Sequence, residues 1–248
     1  MSEEYEPDNL LDRRSRPATL QVHYDWMEQR ERELVSRHVD LAAGGEVLSV
    51  GCGWHPGRHL FPAPAWRMTA NDVDAARAHW VVEQARPPRA DVAAPGRAGE
   101  LHDLPEGSFD VVLYRLVLHH IVFQQPLDAV FAEAARVLRP GGVVVAVEPG
   151  LWHPVGAALA VANRLGLGSA VHGTPDDVPL SPRALVNQAR RAGLEPTLHA
   201  LTYSWRRMAP RMQRALHPLD RRVGSRAVGA AFGHTLLMVA RSPAAEVR

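Results

Sequence analysis

Apolar and polar positions along the chain follow two periods, one typical of strands and one typical of helices. Short apolar runs predict strands at 46–50, 67–71, 108–114, 143–147, 197–205 and 234–240, with a weaker one near 90–93 or 97–102. Helical spacing predicts helices at 21–43, 74–84, 126–138 and 181–192. Strands that alternate with helices, one of them an unbroken apolar run, predict an α/β fold with a mostly parallel sheet.

The same pattern suggests how the chain is organised. Residues 1–20 are polar and are expected to form a mobile tail, and residues 21–248 to form a single domain. Residues 150–180 are rich in Gly and Ala and predict a lid insertion over an apolar ligand. Residues 206–230 form an Arg-rich insertion, interpreted either as a solvated amphipathic helix or as a platform for an acidic partner.

Composition narrows the class of protein. The formal charge of +1 gives no reason to expect a nucleic-acid or membrane partner, and no apolar run approaches the ~20 residues that span a bilayer. Cys52 is the only cysteine, so no intramolecular disulfide can form, and a cytoplasmic location is expected. All 28 basic residues are arginine, which indicates a high-GC bacterial genome and excludes lysine Schiff-base chemistry.

A glycine turn follows the first predicted strand, and a carboxylate follows the second. Gly51 and Gly53 close the segment Val47–Gly53, and Asp72 lies twenty-one positions after Gly51. Glycine permits backbone angles that let a ligand lie against the main chain. A carboxylate at about this spacing, roughly 20 residues on, binds ribose hydroxyls in α/β nucleotide-binding folds.

Further blocks follow in a fixed order. They are Met68–Asp74, Leu104–Val112, Leu118-His119-His120 and Val137–Gly142. With Val47–Gly53, this series over residues 45–150 resembles class I S-adenosylmethionine-dependent methyltransferases, in particular the small-molecule branch that includes quinone-methylating enzymes. The resemblance implies a Rossmann-like, mostly parallel seven-stranded sheet with the last strand antiparallel and helices on both faces. It also implies S-adenosyl-L-methionine as cofactor and a small-molecule methyl acceptor.

The resemblance assigns roles to individual positions. Gly51 and Gly53 would contact the methionine portion, Asp72 the ribose, and Val73 the adenine. The full set of expected cofactor-binding residues is Ser49, Gly51, Cys52, Gly53, Asp72, Val73, Glu100, Leu101, Tyr114, Arg115 and, as part of an N-terminal lid, Tyr24. No metal site is expected.

Several of these positions have alternative interpretations. Asp72 could instead be a loop or helix-capping acid, although Asp74 is also suited to cap the next helix. Asp91 or Asp103 could replace Glu100 at the adenine, and Tyr24 could be an ordinary helix aromatic.

The turn departs from the family pattern beyond Gly53. His55 stands where a third glycine is common, and Pro56 truncates the helix that usually follows. The shortened helix leaves open whether the amino-acid end of the cofactor is held differently, with Arg58 and His59 as the candidates.

Methyl transfer to a hydroxyl or an activated carbon requires a base, and histidine suits this task near neutral pH. His119, His120 and His153 follow predicted strands at the expected ligand crevice. O- or C-methylation is favoured, and a non-catalytic, scaffolding or regulatory S-adenosylmethionine-binding protein is the alternative. A nicotinamide oxidoreductase is disfavoured because Pro56 occupies the third glycine position of its fingerprint.

Overall fold

The computed structural model describes residues 17–83, 92–167 and 178–244. In chain order the first half consists of α1 (Ala18–Val35), β1 (Gly45–Val50), β2 (Trp66–Asn71), α2 (Ala75–Glu83), β3 (Val92–Ala93), β4 (Phe109–Arg115), α3 (Leu118–Ile121) and α4 (Leu127–Val137). The second half consists of β5 (Leu138–Pro149), α5 (Pro154–Arg164), α6 (Pro182–Arg191), β6 (Glu195–Thr202), α7 (Pro210–Val223), α8 (Ala227–Ala231) and β7 (Thr235–Arg241).

The strands form one sheet in the order β3-β2-β1-β4-β5-β7-β6. The pairs formed by β1, β2, β3, β4 and β5 are parallel, whereas β7 runs antiparallel to both of its neighbours. The predicted fold class is therefore confirmed, including the antiparallel last strand. The weak strand proves to be the pair Val92–Ala93, the first of the two positions considered.

Two apolar clusters cover the two faces of the sheet. One packs α4 and α6 against Val112 and Tyr114 of β4, with Phe131 and Leu185 fully buried. The other packs α1 and the 60–61 loop against Val111 and Leu113. Because successive residues of a strand point to opposite faces, both clusters draw on the same central strands.

The first helix differs from its prediction at both ends. It begins at Ala18, within the expected tail, and it ends at Val35, after which residues 36–43 form turns. Tertiary contacts hold these turns: the indole nitrogen of Trp66 donates a hydrogen bond of 2.9 Å to the carbonyl of Leu41. The tail prediction for residues 1–16 and the part of the predicted lid at 168–177 lie outside the described residues.

The Arg-rich segment 206–230 folds as two helices, α7 and α8. Helix α7 turns Gln213 and Asp220 inward and packs against α1, where Arg221 pairs with Glu33. An amphipathic helix is thus formed, and an acidic partner stays a prediction. Within 17–83, 92–167 and 178–244 no helix has the length and apolar character needed to cross a membrane.

Candidate active site

A cavity of about 460 Å³ lies at the carboxyl ends of the parallel strands. Its walls come from the loops after β1, β2, β4 and β5, and from α1 and the segments at 205–206 and 234–235. This is the position at which open α/β sheets bind ligands, and the volume is that of a small-molecule site. The predicted site residues that line it are Tyr24, Gly51, Cys52, Gly53, Asp72, Val73, Arg115, His119 and His120.

The glycine turn is built as the sequence suggests. Gly51 and Gly53 have φ angles of +59° and +49°, in the region that favours glycine. A Cβ on Gly51 would collide with Cγ2 of Val117, whereas one on Gly53 would meet nothing within 4 Å. Gly51 is therefore required by packing, and Gly53 leaves backbone open to the cavity.

Asp72 is a buried carboxylate at the end of β2, with 4% of its surface exposed. Oδ2 accepts the Gly53 N–H at 2.9 Å and Oδ1 accepts the Asp74 N–H at 2.9 Å. Asp74 in turn accepts the N–H of Ala76 at the start of α2, so Asp74 rather than Asp72 caps this helix. Each Asp72 oxygen retains acceptor capacity, because a carboxylate has about four acceptor sites.

Cys52, between the two glycines, is an inert packing residue. Burial, helped by the charge of Asp72, raises the pKa of its thiol to about 12. A thiol that stays protonated is a poor nucleophile.

A buried ion pair fixes α1 to the end of β4. Arg115 donates to Glu31 through Nε at 3.1 Å and through Nη2 at 3.0 Å, and His59 approaches the same carboxylate at 2.7 Å. Burial alone would raise the pKa of Glu31, but Arg115 and His59 outweigh it and lower this pKa to about 2. The helix that carries Tyr24 is therefore held to the sheet by charge as well as by packing.

His55 lies beside Arg115 at the methionine end of the expected site. Its Nδ1 is 3.4 Å from Nη1 of Arg115, and its Nε2 is 3.5 Å from Oε1 of Glu28. Burial and the Arg115 charge lower the pKa of His55, so the ring is neutral at pH 7. Arg58 and His59, the two candidates for holding this end, bond instead to backbone carbonyls and to Glu31, and neither lines the cavity.

His119 is paired with a buried carboxylate. Oε2 of Glu148, at the end of β5, lies 2.6 Å from Nδ1 of His119. Oε1 of the same carboxylate accepts the N–H groups of Val117 and Leu118. Because Glu148 accepts all of these bonds, it holds a proton on Nδ1 and leaves Nε2 of His119 as the basic nitrogen. The ring of His120 lies against that of His119, with centroids 4.0 Å apart.

His153 occupies a structural position. Its Nδ1 accepts the N–H of Val155 at 3.2 Å and so caps α5, and the ring also bonds to the backbone of Tyr203. Burial lowers its pKa. It does not line the cavity, although its ring contacts that of His234, which does.

Four expected cofactor-binding residues also lie outside the cavity lining, for local reasons. Tyr114 precedes Arg115 in β4 and so points to the opposite face, where its hydroxyl reaches the carbonyl of Val130 at 3.4 Å. Ser49 is buried within β1 and Leu101 in the core, whereas Glu100 is exposed. Gly96 and Ala98 line the cavity on this side instead.

The structure adds residues that the sequence analysis did not select. They are His23, Glu31, His55, Glu148, Arg206 and His234. Only Glu148 carries a local signal, a charged residue that ends the apolar run of β5. Within the part of the chain that the structure describes, no group of three or more His, Cys, Asp or Glu side chains is arranged to hold a metal ion.

Comparison with known proteins agrees with this geometry. Residues 48–146 match the family described as a methyltransferase domain. A probable S-adenosylmethionine-dependent methyltransferase of Mycolicibacterium smegmatis is 34% identical over 151 residues, which are 58% of this chain and 55% of that protein. An uncharacterized 37.1 kDa protein in a Streptomyces fradiae transposon is 36% identical over 115 residues, 45% of this chain and 32% of its own length. The chain thus spans about half or less of the curated relatives it matches.

Solved structures share the fold at low identity. A geranyl diphosphate methyltransferase in complex with S-adenosylmethionine superposes with a TM-score of 0.58 at 18% identity, over 87% of this chain and 84% of that one. A [4+2]-cyclase, SpnF, superposes with a TM-score of 0.56 at 21% identity, over 86% and 80% of the two chains.

The strand order and the cavity at the carboxyl ends define a methyltransferase fold. The match of residues 48–146 to the methyltransferase-domain family and the curated relative support a class I S-adenosylmethionine-dependent methyltransferase. The family predicted from the motif blocks is confirmed.

Proposed function

We propose that the protein transfers the methyl group of S-adenosylmethionine to an oxygen or carbon atom of a small molecule, with oxygen preferred. One observation carries this proposal: a single cavity joins the Gly51–Gly53 turn and Asp72 to a carboxylate-backed histidine, His119. The first group suits a nucleoside with an amino-acid tail, and the second suits an acceptor that must lose a proton.

The residues present fit the cofactor. Asp72 offers two buried oxygens that keep acceptor capacity, as the two ribose hydroxyls require. Gly53 presents backbone to open space, a cradle that a Cβ would fill. Arg115 and His55 lie on the same side of the turn and are proposed to hold the amino-acid end, and Val73 and Ala98 to contact the adenine.

When bound here, S-adenosylmethionine would supply an activated methyl group that the acceptor's electron pair displaces from sulfur, with the electron pair of the carbon–sulfur bond left on sulfur. The protein contributes orientation, exclusion of water and removal of the acceptor's proton. Nε2 of His119 is proposed to take that proton, because Glu148 at Nδ1 stabilises the positive ring that forms. His120 packs on the same ring and restricts its rotation.

The acceptor lies on the side of the cavity away from Asp72. Apolar and aromatic residues shape this side, namely Tyr24, Ile121, Pro149, Leu159 and Trp205. Such a wall suits a small apolar or aromatic compound that carries a hydroxyl.

Calorimetric titration with S-adenosylmethionine, S-adenosylhomocysteine and NAD tests the cofactor. We expect micromolar binding of both sulfur compounds and none of NAD. If neither sulfur compound binds at micromolar levels, the proposal fails. A second outcome is that both sulfur compounds bind but the wild type methylates no hydroxylated aromatic compound in a screen. If His119→Phe then gives the same result as the wild type, the non-catalytic alternative replaces the proposal.

A further inference from the structure

His23 is a buried histidine in the wall of the cavity that methyl transfer, as proposed above, does not use. It lies on α1, is 3% exposed and lines the cavity together with Arg206 and His234. Its ring meets that of His234 edge to face, with centroids 6.2 Å apart. These residues lie by β5, β6 and β7, on the acceptor side of the cavity.

A chain of hydroxyl groups runs from His23 to a buried carboxylate. Nδ1 of His23 is 3.4 Å from Oγ of Ser204, and this oxygen is 2.9 Å from Oγ1 of Thr202. Thr202 is 3.0 Å from Oδ2 of Asp220, which also accepts the indole N–H of Trp26 at 2.7 Å. All five residues are buried.

The direction of the hydrogen bonds follows from the number of protons available. An ionised carboxylate only accepts, so the single hydroxyl proton of Thr202 goes to Asp220. Oγ1 of Thr202 must then accept, both from the N–H of Ser204 at 3.0 Å and from its hydroxyl. Ser204 has no proton left to give, and its oxygen can only accept from N–H at Nδ1 of His23.

The charge state of both ends supports this direction. Burial raises the pKa of Asp220 to about 6, so this carboxyl is ionised at pH 7 and above. Burial and the charge of Arg206 lower the pKa of His23 to about 3, so its ring is neutral there. A neutral imidazole protonated at Nδ1 has its lone pair on Nε2.

We propose that Nε2 of His23 is the hydrogen-bond acceptor that recognises a hydroxyl or N–H group of the methyl acceptor, and that the Ser204–Thr202–Asp220 chain fixes the tautomer that makes this possible. The identity of the ligand rests on the proposed function. His23 is a specificity residue, whereas His119 takes the proton. The two histidines differ in the partner of Nδ1: it is the carboxylate of Glu148 for His119 and the neutral hydroxyl of Ser204 for His23.

It follows that the group bound by His23 keeps its proton. The preferred acceptor is therefore an apolar ring with a hydrogen-bond donor in addition to the group that is methylated. A compound whose donor is replaced by an ether loses this bond and leaves Nε2 desolvated without a partner, which is the costly case for a buried polar atom.

Nitrogen-15 NMR of the histidine rings tests the tautomer without any cofactor. At pH 7 to 8 we expect the wild-type His23 signals, assigned by their loss in His23→Phe, to show a proton on Nδ1 and none on Nε2. Thr202→Val releases the Ser204 proton toward Nδ1 and should move the ring proton to Nε2. Thr197→Val, the same change at an exposed position of β6, should leave the spectrum unchanged. A wild-type proton on Nε2, or an unchanged tautomer in Thr202→Val, overturns the proposal.

Phenol and anisole, a matched pair with and without a donor, test the recognition. With S-adenosylhomocysteine bound, we expect phenol to bind about tenfold more tightly than anisole, as one hydrogen bond provides, and to shift the Nε2 signal. His23→Phe should abolish this preference, and Thr197→Val should keep it. Equal binding of the two probes by a wild type that still binds S-adenosylhomocysteine overturns this inference alone, whereas loss of S-adenosylhomocysteine binding overturns the proposed function.

Discussion

The two ends of the cavity are built in different ways. The proposed nucleoside end is built around a glycine turn after β1 and one carboxylate after β2, which lie within residues 51–72. The proposed acceptor end consists of side chains from segments far apart in the chain, such as His23, His119 and Arg206. A site for a common ligand can thus be local and preformed, whereas a site for a particular ligand is assembled by tertiary packing.

The largest expected effect lies at the acceptor end. His119→Phe keeps a ring in the same place but removes the basic nitrogen that Glu148 orients. Since a positioned base contributes about 10²–10⁴-fold, kcat should fall by roughly that factor while cofactor affinity is unchanged. Steady-state kinetics with any acceptor found in the screen, together with calorimetry, measure both. His153→Phe is the matched control and should retain kcat, because His153 lies outside the cavity.

The buried ion pair between Arg115 and Glu31 should contribute strongly to the free energy of unfolding. Glu31→Gln leaves Arg115 buried without its partner, which typically costs about 3–5 kcal/mol of unfolding free energy. Glu46→Gln, in a partly exposed pair with Arg67 at 3.5 Å, should cost at most about 1 kcal/mol. Denaturant unfolding at pH 7 compares the two variants, and equal losses would contradict the assigned role of Glu31.

The pH dependence of that loss has a definite sign. The folded-state pKa of Glu31 is lowered to about 2 from its ordinary value of 4.5. Its contribution is therefore fully present above pH 4.5 and is lost as the pH falls toward 2. The gap between wild type and Glu31→Gln should narrow across this window, and a gap that widens on acidification would contradict the assignment.

At the nucleoside end, Asp72→Ala removes the only acidic side chain that lines the cavity among the described residues. Hydrogen bonds to charged groups contribute about 1.5–3 kcal/mol, so the affinity for S-adenosylhomocysteine should fall roughly 10- to 100-fold. Asp74→Ala removes the cap of α2 and the ion pair with Arg77, but Asp74 itself does not line the cavity, so affinity should stay nearly unchanged. Calorimetry of both variants decides whether Asp72 binds the ligand or only ties Gly53 to Asp74.

The smallest expected effect is the difference between alanine substitutions at the two glycines of the turn, Gly51 and Gly53. Gly51→Ala must adopt a left-handed φ and displace Val117, so it should lower the unfolding free energy by more than the ~1–2 kcal/mol of the backbone term alone. Gly53→Ala meets no atom within 4 Å and should show only the backbone term, but its Cβ enters the cradle and should weaken cofactor binding. Thermal unfolding and calorimetry of the pair test this division, and a Gly53→Ala variant with full affinity would remove Gly53 from the binding surface.

The fold, the glycine turn and the position of Asp72 could be predicted from the sequence because they depend on short-range patterns. Strand runs, the glycine turn and Asp72 are local, and they lie where the motif spacing places them. The resemblance places both Tyr114 and Arg115 at the site because both end a strand, but a strand sends neighbouring side chains to opposite faces, and Tyr114 points away from the cavity. His23 could not be found in this way, because its role depends on Ser204, Thr202 and Asp220, about two hundred residues away.

The position of the last strand has a consequence for how the protein is made. Strand β7 lies between β5 and β6 and bonds to both. Until Thr235–Arg241 has left the ribosome, β6 has no neighbour in the sheet, and His234 and Thr235 are missing from the cavity wall. The nucleoside end can form during synthesis, since domains fold as their residues emerge. The proposed acceptor end is completed only after β7 has been synthesised and has paired with both β5 and β6.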